Sequence, residues 1–146
     1  MTSTRTAVVT GTAGIALGIG RRLVADGFKV ILCGYDREQN AAAQTALAGA
    51  DVEIAELDVS DAERVEAFAR ELATRHRRLD ALVNCAGIQT YGDIETTTPA
   101  DWDKVIRINL TGYYLMAHFL YPLLKASGQA SIVNIASVQG HLNQHN

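Results

Sequence analysis

Five short apolar stretches rich in β-branched residues recur along the chain, and helix-like segments separate them. The predicted strands are residues 6–10, 29–33, 52–57, 81–84 and 131–136. The apolar runs are nearly continuous, which is typical of strands that are covered on both faces. Because strands that alternate with helices pair in parallel, the pattern predicts an α/β fold with a doubly wound parallel sheet. Residues 1–146 are predicted to form one domain.

Local capping chemistry marks the predicted helix ends. Ser60 and Glu63 have the spacing of a capping box, which places the start of the third helix after Ser60. Thr98 followed by Pro99 predicts the start of the fourth helix, since proline suits the first helical position. Glycine adopts a left-handed backbone at little cost, and three glycines stand where helices are expected to end: Gly27, Gly49 and Gly128.

The first predicted strand runs into a glycine-rich turn at residues 10–16. After the turn, Ile15, Ile19 and Leu23 repeat at helical spacing. Glycine lets the backbone turn sharply and approach a phosphate, which then meets the amide groups at the helix N-terminus. The strand, turn and helix together predict a dinucleotide-binding turn, although such a turn is also a common tight connection.

Helix length decides between two registers for this turn. A helix that begins at Gly14 has about 13 residues, near the average length, whereas a start at Gly18 leaves about nine. We therefore expect Gly11 and Gly14 to contact the phosphates. Gly18 and Gly20 are then expected to be close-packing positions on the helix.

Composition narrows the class of protein. A formal net charge of −3 provides no basic surface for a nucleic acid partner. Cys33 and Cys85 lie at the ends of apolar runs and predict neither a disulfide framework nor a metal site. His141 and His145 are one helical turn apart, but no third ligand lies nearby, so no metal is expected. The N-terminus lacks the pattern of a signal peptide, which favours a cytoplasmic protein.

Residues 108–124 contain no Asp, Glu, Lys or Arg and are about as long as the shortest membrane-spanning helices. The stretch also contains asparagine, threonine, histidine and proline, and it continues a helix that begins near Asp101. We therefore predict no membrane span but a helix buried on most sides. Part of its surface is a candidate oligomer contact.

Four further segments accompany the turn in a fixed order. Leu-Asp-Val at 57–59 and Asn-Cys-Ala-Gly at 84–87 follow the third and fourth strands. Ile-Asn-Leu at 108–110 lies in the fourth helix, and Asn-Ile-Ala-Ser at 134–137 ends the fifth strand. With the turn, these segments resemble the short-chain dehydrogenase/reductase family along essentially the whole chain. The resemblance implies a Rossmann-type fold.

The resemblance also implies hydride transfer between NAD or NADP and a small carbonyl or alcohol substrate. Ser137 would donate a hydrogen bond to the substrate oxygen, and Asn109 would help to hold a water in the proton path. A homo-oligomer is expected. The predicted cofactor-binding residues are Gly11, Thr12, Gly14, Ile15, Ala16, Asp36, Asp58, Val59, Asn84, Ala86 and Gly87.

The chain departs from the family pattern in two respects. The turn is one residue shorter than Thr-Gly-x-x-x-Gly-x-Gly, and Ala16 replaces the third glycine. The catalytic Tyr-x-x-x-Lys segment of the family follows the serine, and the chain ends at Asn146 before reaching it. The sequence thus predicts the cofactor-binding part of an oxidoreductase, truncated after about the fifth strand. A non-catalytic dinucleotide-binding or interaction protein is the alternative.

The choice between NAD and NADP stays open at the sequence level. Gly34 takes the place of the usual ribose-binding aspartate at the end of the second strand, and Asp36 and Arg37 follow it. Asp36 would suit the ribose hydroxyls of NAD, whereas Arg37 would suit the 2′-phosphate of NADP. Asp36 and Gln39 also have the spacing of a helix cap.

Overall fold

The structure is a computed structural model that describes residues 4–138. Its strands are β1 (Arg5–Thr10), β2 (Phe28–Gly34), β3 (Val52–Glu56), β4 (Ala81–Asn84) and β5 (Ser131–Asn134). Its helices are α1 (Gly14–Ala25), α2 (Arg37–Ala46), α3 (Ala62–Arg75), α4 (Pro99–Ile106) and α5 (Gly112–Ser127). A π-helical turn, Arg107–Thr111, joins α4 to α5.

All strand pairs are parallel, and the sheet order is β3-β2-β1-β4-β5. The chain moves outward from β1 to β3 and then returns to the other side of β1 with β4. This reversal makes a crevice at the carboxyl ends of β1 and β4, where open α/β sheets bind ligands. The predicted doubly wound α/β fold is confirmed, and every strand lies within two residues of its predicted bounds.

Helices cover both faces of the sheet at β1, β2 and β4, whereas every residue of the edge strand β5 is exposed. Val8 lies in a core cluster with Leu72 of α3 and Met116 of α5. Val9, the next residue of the same strand, packs on the opposite face with Ala16 of α1. Because successive strand residues point to opposite faces, a strand buried on both sides needs a continuous apolar run, which is why β1, β2 and β4 could be predicted.

One predicted helix start was wrong by one residue. Asp61 caps α3, and its Oδ1 accepts hydrogen bonds from the amides of Glu63 and Arg64, both at 3.1 Å. The Ser60 hydroxyl instead donates to Asp58 Oδ1 at 2.7 Å. Two adjacent side chains could each cap this helix, and the aspartate does so because Asp58 engages the serine.

The other predicted helix ends are confirmed, except the one at Gly49. Thr98 Oγ1 accepts a hydrogen bond from the Asp101 amide at 3.1 Å, and Pro99 is the first residue of α4. Gly27 (φ 81°) and Gly128 (φ 73°) adopt left-handed conformations at the ends of α1 and α5, whereas Gly49 (φ 83°) lies three residues after the end of α2.

The apolar stretch at 108–124 is exposed along one stripe and buried or half-buried elsewhere, which agrees with the predicted burial on most sides. Met116 and Leu120 are fully buried. Leu110, Tyr114 and Tyr121 are 64%, 61% and 56% exposed and belong to the opposite face. Among the described residues, no helix is both long and apolar enough to cross a membrane.

Asp80 connects several elements at the amino ends of the strands. Its carboxylate accepts hydrogen bonds from the Thr6 amide at 2.9 Å and from the Ser127 hydroxyl at 2.7 Å. Arg78 forms an ion pair with it at 3.0 Å. Burial raises the pKa of Asp80, but the hydrogen bonds from Ser127 and Thr6 and the charge of Arg78 lower it by more. The net pKa lies below the ordinary value of an aspartate.

Replacing this carboxylate tests its contribution to stability. Asp80→Asn is expected to lower the free energy of unfolding at pH 7 by about 1–3 kcal/mol, because an amide satisfies these donors poorly. Since the folded-state pKa is depressed, the contribution is complete above about pH 4 and is lost as the pH falls through the folded-state pKa. The free energy of unfolding, measured with urea from pH 7 downwards, should therefore fall less steeply with decreasing pH in Asp80→Asn than in the unmodified protein.

Asp26→Asn is the matched control for this prediction. Asp26 forms an ion pair with Arg22 on an exposed surface, so its replacement should change stability by less than about 1 kcal/mol. Equal effects of the two substitutions at pH 7 would contradict the assigned role of Asp80.

Candidate functional site

A cleft of ≈ 700 Å³ opens at the carboxyl ends of β1, β2 and β4, and we call it the strand-end cleft. Ten of the predicted site residues line it: Gly11, Thr12, Gly14, Ile15, Ala16, Asp36, Asp58, Val59, Ala86 and Gly87. Asn84, Asn109 and Ser137 are not among its lining residues. The segments that the sequence placed after separate strands are therefore brought together by the parallel sheet.

The turn after β1 requires glycine at its start. Gly11 has a φ of +100°, and a Cβ on it would lie 2.9 Å from the Ala16 Cβ. The Gly11 amide donates to the carbonyl of Cys33 at 2.6 Å, which holds the turn against the end of β2. The helix begins at Gly14, as predicted, and Gly14 has a φ of +52°.

The N-terminus of α1 lacks the side-chain cap that the next three helices have. Asp36, Asp61 and Thr98 cap α2, α3 and α4, whereas Ala13 precedes α1 and has no side-chain oxygen. The amides of the first helical residues also have no intrahelical partner, because these bonds begin with the Leu17 amide to Ala13 O at 3.3 Å. The strand-end cleft therefore contains donors at the positive end of a helix dipole, which suits an anion.

The Thr10 side chain joins the two strands that flank the crevice. Its Oγ1 accepts hydrogen bonds from the amides of Cys85 and Ala86, both at 2.9 Å. Thr10 thereby fixes the loop after β4 next to the turn after β1. Thr10 belongs to the predicted turn but was not among the predicted site residues, although its position directly before Gly11 was a usable signal.

A buried network at the end of β2 was also missed. The Thr12 hydroxyl donates to Asn40 Oδ1 at 2.8 Å, and Asn40 Nδ2 donates to the carbonyl of Gly34 at 2.9 Å. A Cβ on Gly34 would lie 2.5 Å from Thr12 Oγ1 and would also overlap Asn40 Oδ1. Glycine is therefore required at position 34, because the hydrogen-bonded side chains of Thr12 and Asn40 occupy the space that a Cβ would need.

The side chain of Asn109 lies in the π-helical turn and anchors the loop after β4. Its Oδ1 accepts from the Ile88 amide at 2.9 Å, and its Nδ2 donates to the Ile88 carbonyl at 2.8 Å. Single π-helical turns inside helices are frequent at functional sites. The observed role of Asn109 is thus to hold the cleft wall, and a role in holding a water stays a prediction.

Asn84 and Ser137 lie near the carboxyl ends of β4 and β5 and do not line the strand-end cleft. Asn84 is fully buried and donates through Nδ2 to Asn134 Oδ1 at 2.9 Å, linking the ends of β4 and β5. Ser137 is exposed and lies three residues beyond the end of β5. The Tyr113 hydroxyl donates to the carbonyl of Ile135 at 3.1 Å and so ties α5 to the segment that leads to Ser137. Burial raises the pKa of Tyr113.

The loop after β3 forms another wall. Asp58 is half-buried, and its Oδ1 accepts from both the amide and the hydroxyl of Ser60, at 2.9 Å and 2.7 Å. Val59 is buried against Gly112, where an added Cβ would lie 2.8 Å from Val59 Cγ2. The start of α5 therefore packs closely on this wall and fixes its position.

The thiols are not poised as nucleophiles or metal ligands. Burial raises the pKa of both Cys33 and Cys85, which keeps them protonated at neutral pH. Within residues 4–138, no three His, Cys, Asp or Glu side chains are grouped as a metal site requires. His141 and His145 lie outside the described residues.

With the fold and the strand-end cleft in view, the comparisons with known proteins identify the family. The sequence model of the short chain dehydrogenase family matches residues 5–146. The chain belongs to the short-chain dehydrogenase/reductase family, as the motifs predicted.

Among curated relatives, D-beta-hydroxybutyrate dehydrogenase of Cupriavidus necator is 36% identical over 143 residues, covering 96% of this chain and 55% of that protein. The 3-alpha-(or 20-beta)-hydroxysteroid dehydrogenase of Mycobacterium tuberculosis is 33% identical over 137 residues, covering 93% and 52%. The chain thus spans just over half the length of these relatives.

Solved structures share the fold. The crystal structure of gox2181 superimposes with a TM-score of 0.90 at 29% identity, covering 98% of this chain and 57% of that one. A metagenomic short-chain oxidoreductase in complex with NADP gives a TM-score of 0.87 at 35% identity, covering 96% and 65%.

Two glycine substitutions test the packing of the site. Gly34→Ala is expected to lower the free energy of unfolding by about 1–3 kcal/mol, because the added methyl group displaces the buried hydrogen bond between Thr12 and Asn40. Urea unfolding of the purified protein measures this change.

Gly18→Ala is the matched control. The sequence predicted close packing at Gly18, but a Cβ there would meet nothing within 4 Å, so that prediction was wrong for Gly18. Close packing is found at Gly20, where a Cβ would lie 3.0 Å from Leu32. Gly18→Ala should raise stability by about 0.5–1 kcal/mol as a helix-interior replacement. Destabilisation by Gly18→Ala, or tolerance of Gly34→Ala, would contradict the described packing.

Proposed function

We propose that this chain is the dinucleotide-binding part of an NAD- or NADP-dependent oxidoreductase that interconverts a carbonyl and an alcohol. The observation that carries the proposal is the uncapped N-terminus of α1, whose amides lie in the strand-end cleft. A pyrophosphate is the group that such a helix end accommodates in this fold. Family membership and the NADP complex of the metagenomic relative support the same cofactor class.

The residues present fit this cofactor. A side chain on Gly11 would collide with Ala16, so glycine lets the turn pack tightly against α1 and leaves its backbone open to a pyrophosphate at the helix N-terminus. Asp58 and Val59 form the wall after β3, where the resemblance places the adenine ring. Ala86 and Gly87, held by Thr10, form the opposite wall of the cleft. When bound, the nicotinamide ring supplies or accepts the hydride.

The protein's own contribution to the reaction is positional and electrostatic. Ser137 is proposed to donate a hydrogen bond to the substrate oxygen as charge develops on it. Asn109 holds Ile88 and thereby fixes the loop between the cofactor and the substrate side. The named relatives are dehydrogenases of hydroxy compounds, which supports an alcohol or carbonyl substrate.

A carboxylate at the helix cap tests the proposed pyrophosphate site. Ala13→Asp adds a cap to α1 and should raise the free energy of unfolding by about 0.5–2 kcal/mol. The same carboxylate would occupy the helix amides and repel a pyrophosphate, so NADH and NADPH affinity should fall at least about tenfold. Urea unfolding and calorimetric titration of the full natural chain measure the two effects.

Ala13→Asn is the matched control, since it caps the helix without a charge and should weaken binding less. Undiminished dinucleotide affinity in Ala13→Asp would contradict the proposed site. Binding without turnover of any carbonyl or alcohol by the full natural chain would favour the alternative of a non-catalytic dinucleotide-binding protein.

We also propose that the exposed face of Leu110, Tyr114 and Tyr121 is a contact between copies of the protein. An exposed apolar patch of this kind commonly marks an interaction site. Tyr114→Glu should weaken self-association of the full natural chain at least about tenfold, measured by size-exclusion chromatography with light scattering. Ala42→Glu, which adds the same charge at an exposed position of α2, should leave self-association unchanged. A monomeric unmodified protein at all concentrations would contradict this proposal.

The cytoplasmic location and the lack of a nucleic acid partner stay predictions from the sequence.

A further inference from the structure

The residues that follow β2 are the ones expected to contact the part of the cofactor in which NAD and NADP differ. NADP differs from NAD by a 2′-phosphate on the adenosine ribose, and the fold places this ribose beyond the second strand. Gly34, Tyr35, Asp36 and Gln39 line the strand-end cleft there, whereas Arg37 does not. Arg37 is also the one cation in the segment 34–40.

Arg37 is engaged elsewhere. Its Nε donates to Glu56 Oε2 at 2.9 Å, and Glu56 is the last residue of β3. Glu56 stands opposite Gly34 in the pairing of β2 with β3, so its carboxylate belongs to the strand end next to the ribose position. The arginine that would suit a 2′-phosphate is therefore paired with a neighbouring carboxylate on the protein surface.

A carboxylate of the same segment also disfavours a phosphate. The Asp36 carboxylate accepts from the Gln39 amide at 2.8 Å, which fixes it as the cap of α2 on the rim of the strand-end cleft. A fixed carboxylate accepts hydrogen bonds from ribose hydroxyls and repels a phosphate group. Asp36 thus serves as both helix cap and cleft residue, and the two interpretations of its spacing are compatible.

From these contacts we infer that the protein selects NAD over NADP, and that Glu56 is a positioning residue for this choice because it holds Arg37 outside the strand-end cleft. The inference rests on the proposed function. The side chain of Arg37 is 82% exposed, so its ion pair is worth little in free energy. Removing Glu56 should therefore shift selectivity by a small and measurable factor.

Two cations do line the strand-end cleft, and these are Lys104 and Arg107. They belong to α4 and the π-helical turn, whereas the selecting segment follows β2. If a 2′-phosphate bound to Lys104 and Arg107 instead, the segment after β2 would not decide between NAD and NADP.

The test is fluorescence titration of the full natural chain with NADH and NADPH. The unmodified protein should bind NADH at least about tenfold more tightly than NADPH. Glu56→Gln should narrow that ratio by up to about fivefold, because it releases Arg37 and removes one negative charge. In the double variant Arg37→Gln with Glu56→Gln, the ratio of NADH to NADPH affinity should return most of the way to that of the unmodified protein.

Glu53→Gln is the matched control, since Glu53 lies on the same strand, pairs with Lys29 and Arg75, and does not line the strand-end cleft. Its NADH to NADPH ratio should equal that of the unmodified protein. Equal or tighter NADPH binding by the unmodified protein would overturn the inference, as would an unchanged ratio in Glu56→Gln. NADPH affinity lost on Lys104→Gln would place the phosphate at Lys104 and also overturn it.

Failure of the inference and failure of the proposed function are distinguishable. If the protein binds neither dinucleotide, the proposed function fails and the inference with it. If it binds both without preference, the proposed function stands and only the inference fails.

Discussion

Parallel pairing of all five strands is the constraint on which the rest of the molecule depends. It places the carboxyl end of every strand on one edge, so the loops that follow β1, β2, β3 and β4 meet around one cleft. Hydrogen bonds between the loops then fix their spacing. Gly11 binds the carbonyl of Cys33, and Thr10 binds the amides after β4. A helix N-terminus with unpaired amides is thereby held at the centre of the edge.

Most of the fold could be predicted because its signals are local. A strand buried on both faces needs a continuous apolar run, and the turn after β1 needs glycine. Helix length also identified Gly14 as the start of α1. The start of α3 was misplaced because Ser60 and Asp61 are both good caps, and only the contact with Asp58 decides between them.

The parts of the site that escaped prediction depend on contacts between distant residues. Asn40 is 28 residues from its partner Thr12, and nothing near it in the sequence marks it as buried. Arg37 looked available for a phosphate because its partner Glu56 is 19 residues away. An exposed part of the helix at 108–124 was expected as an oligomer contact, but its residues were not, because apolar content alone does not show which face of a helix the sheet covers.

A crystal structure of the full natural chain with bound NAD would test whether the amides of α1 bind the pyrophosphate. We expect pyrophosphate oxygens at about 3 Å from amide nitrogens in the first turn of α1, with the adenine beside Asp58 and Val59. A dinucleotide bound away from the strand-end cleft, or a pyrophosphate without contact to these amides, would contradict the account.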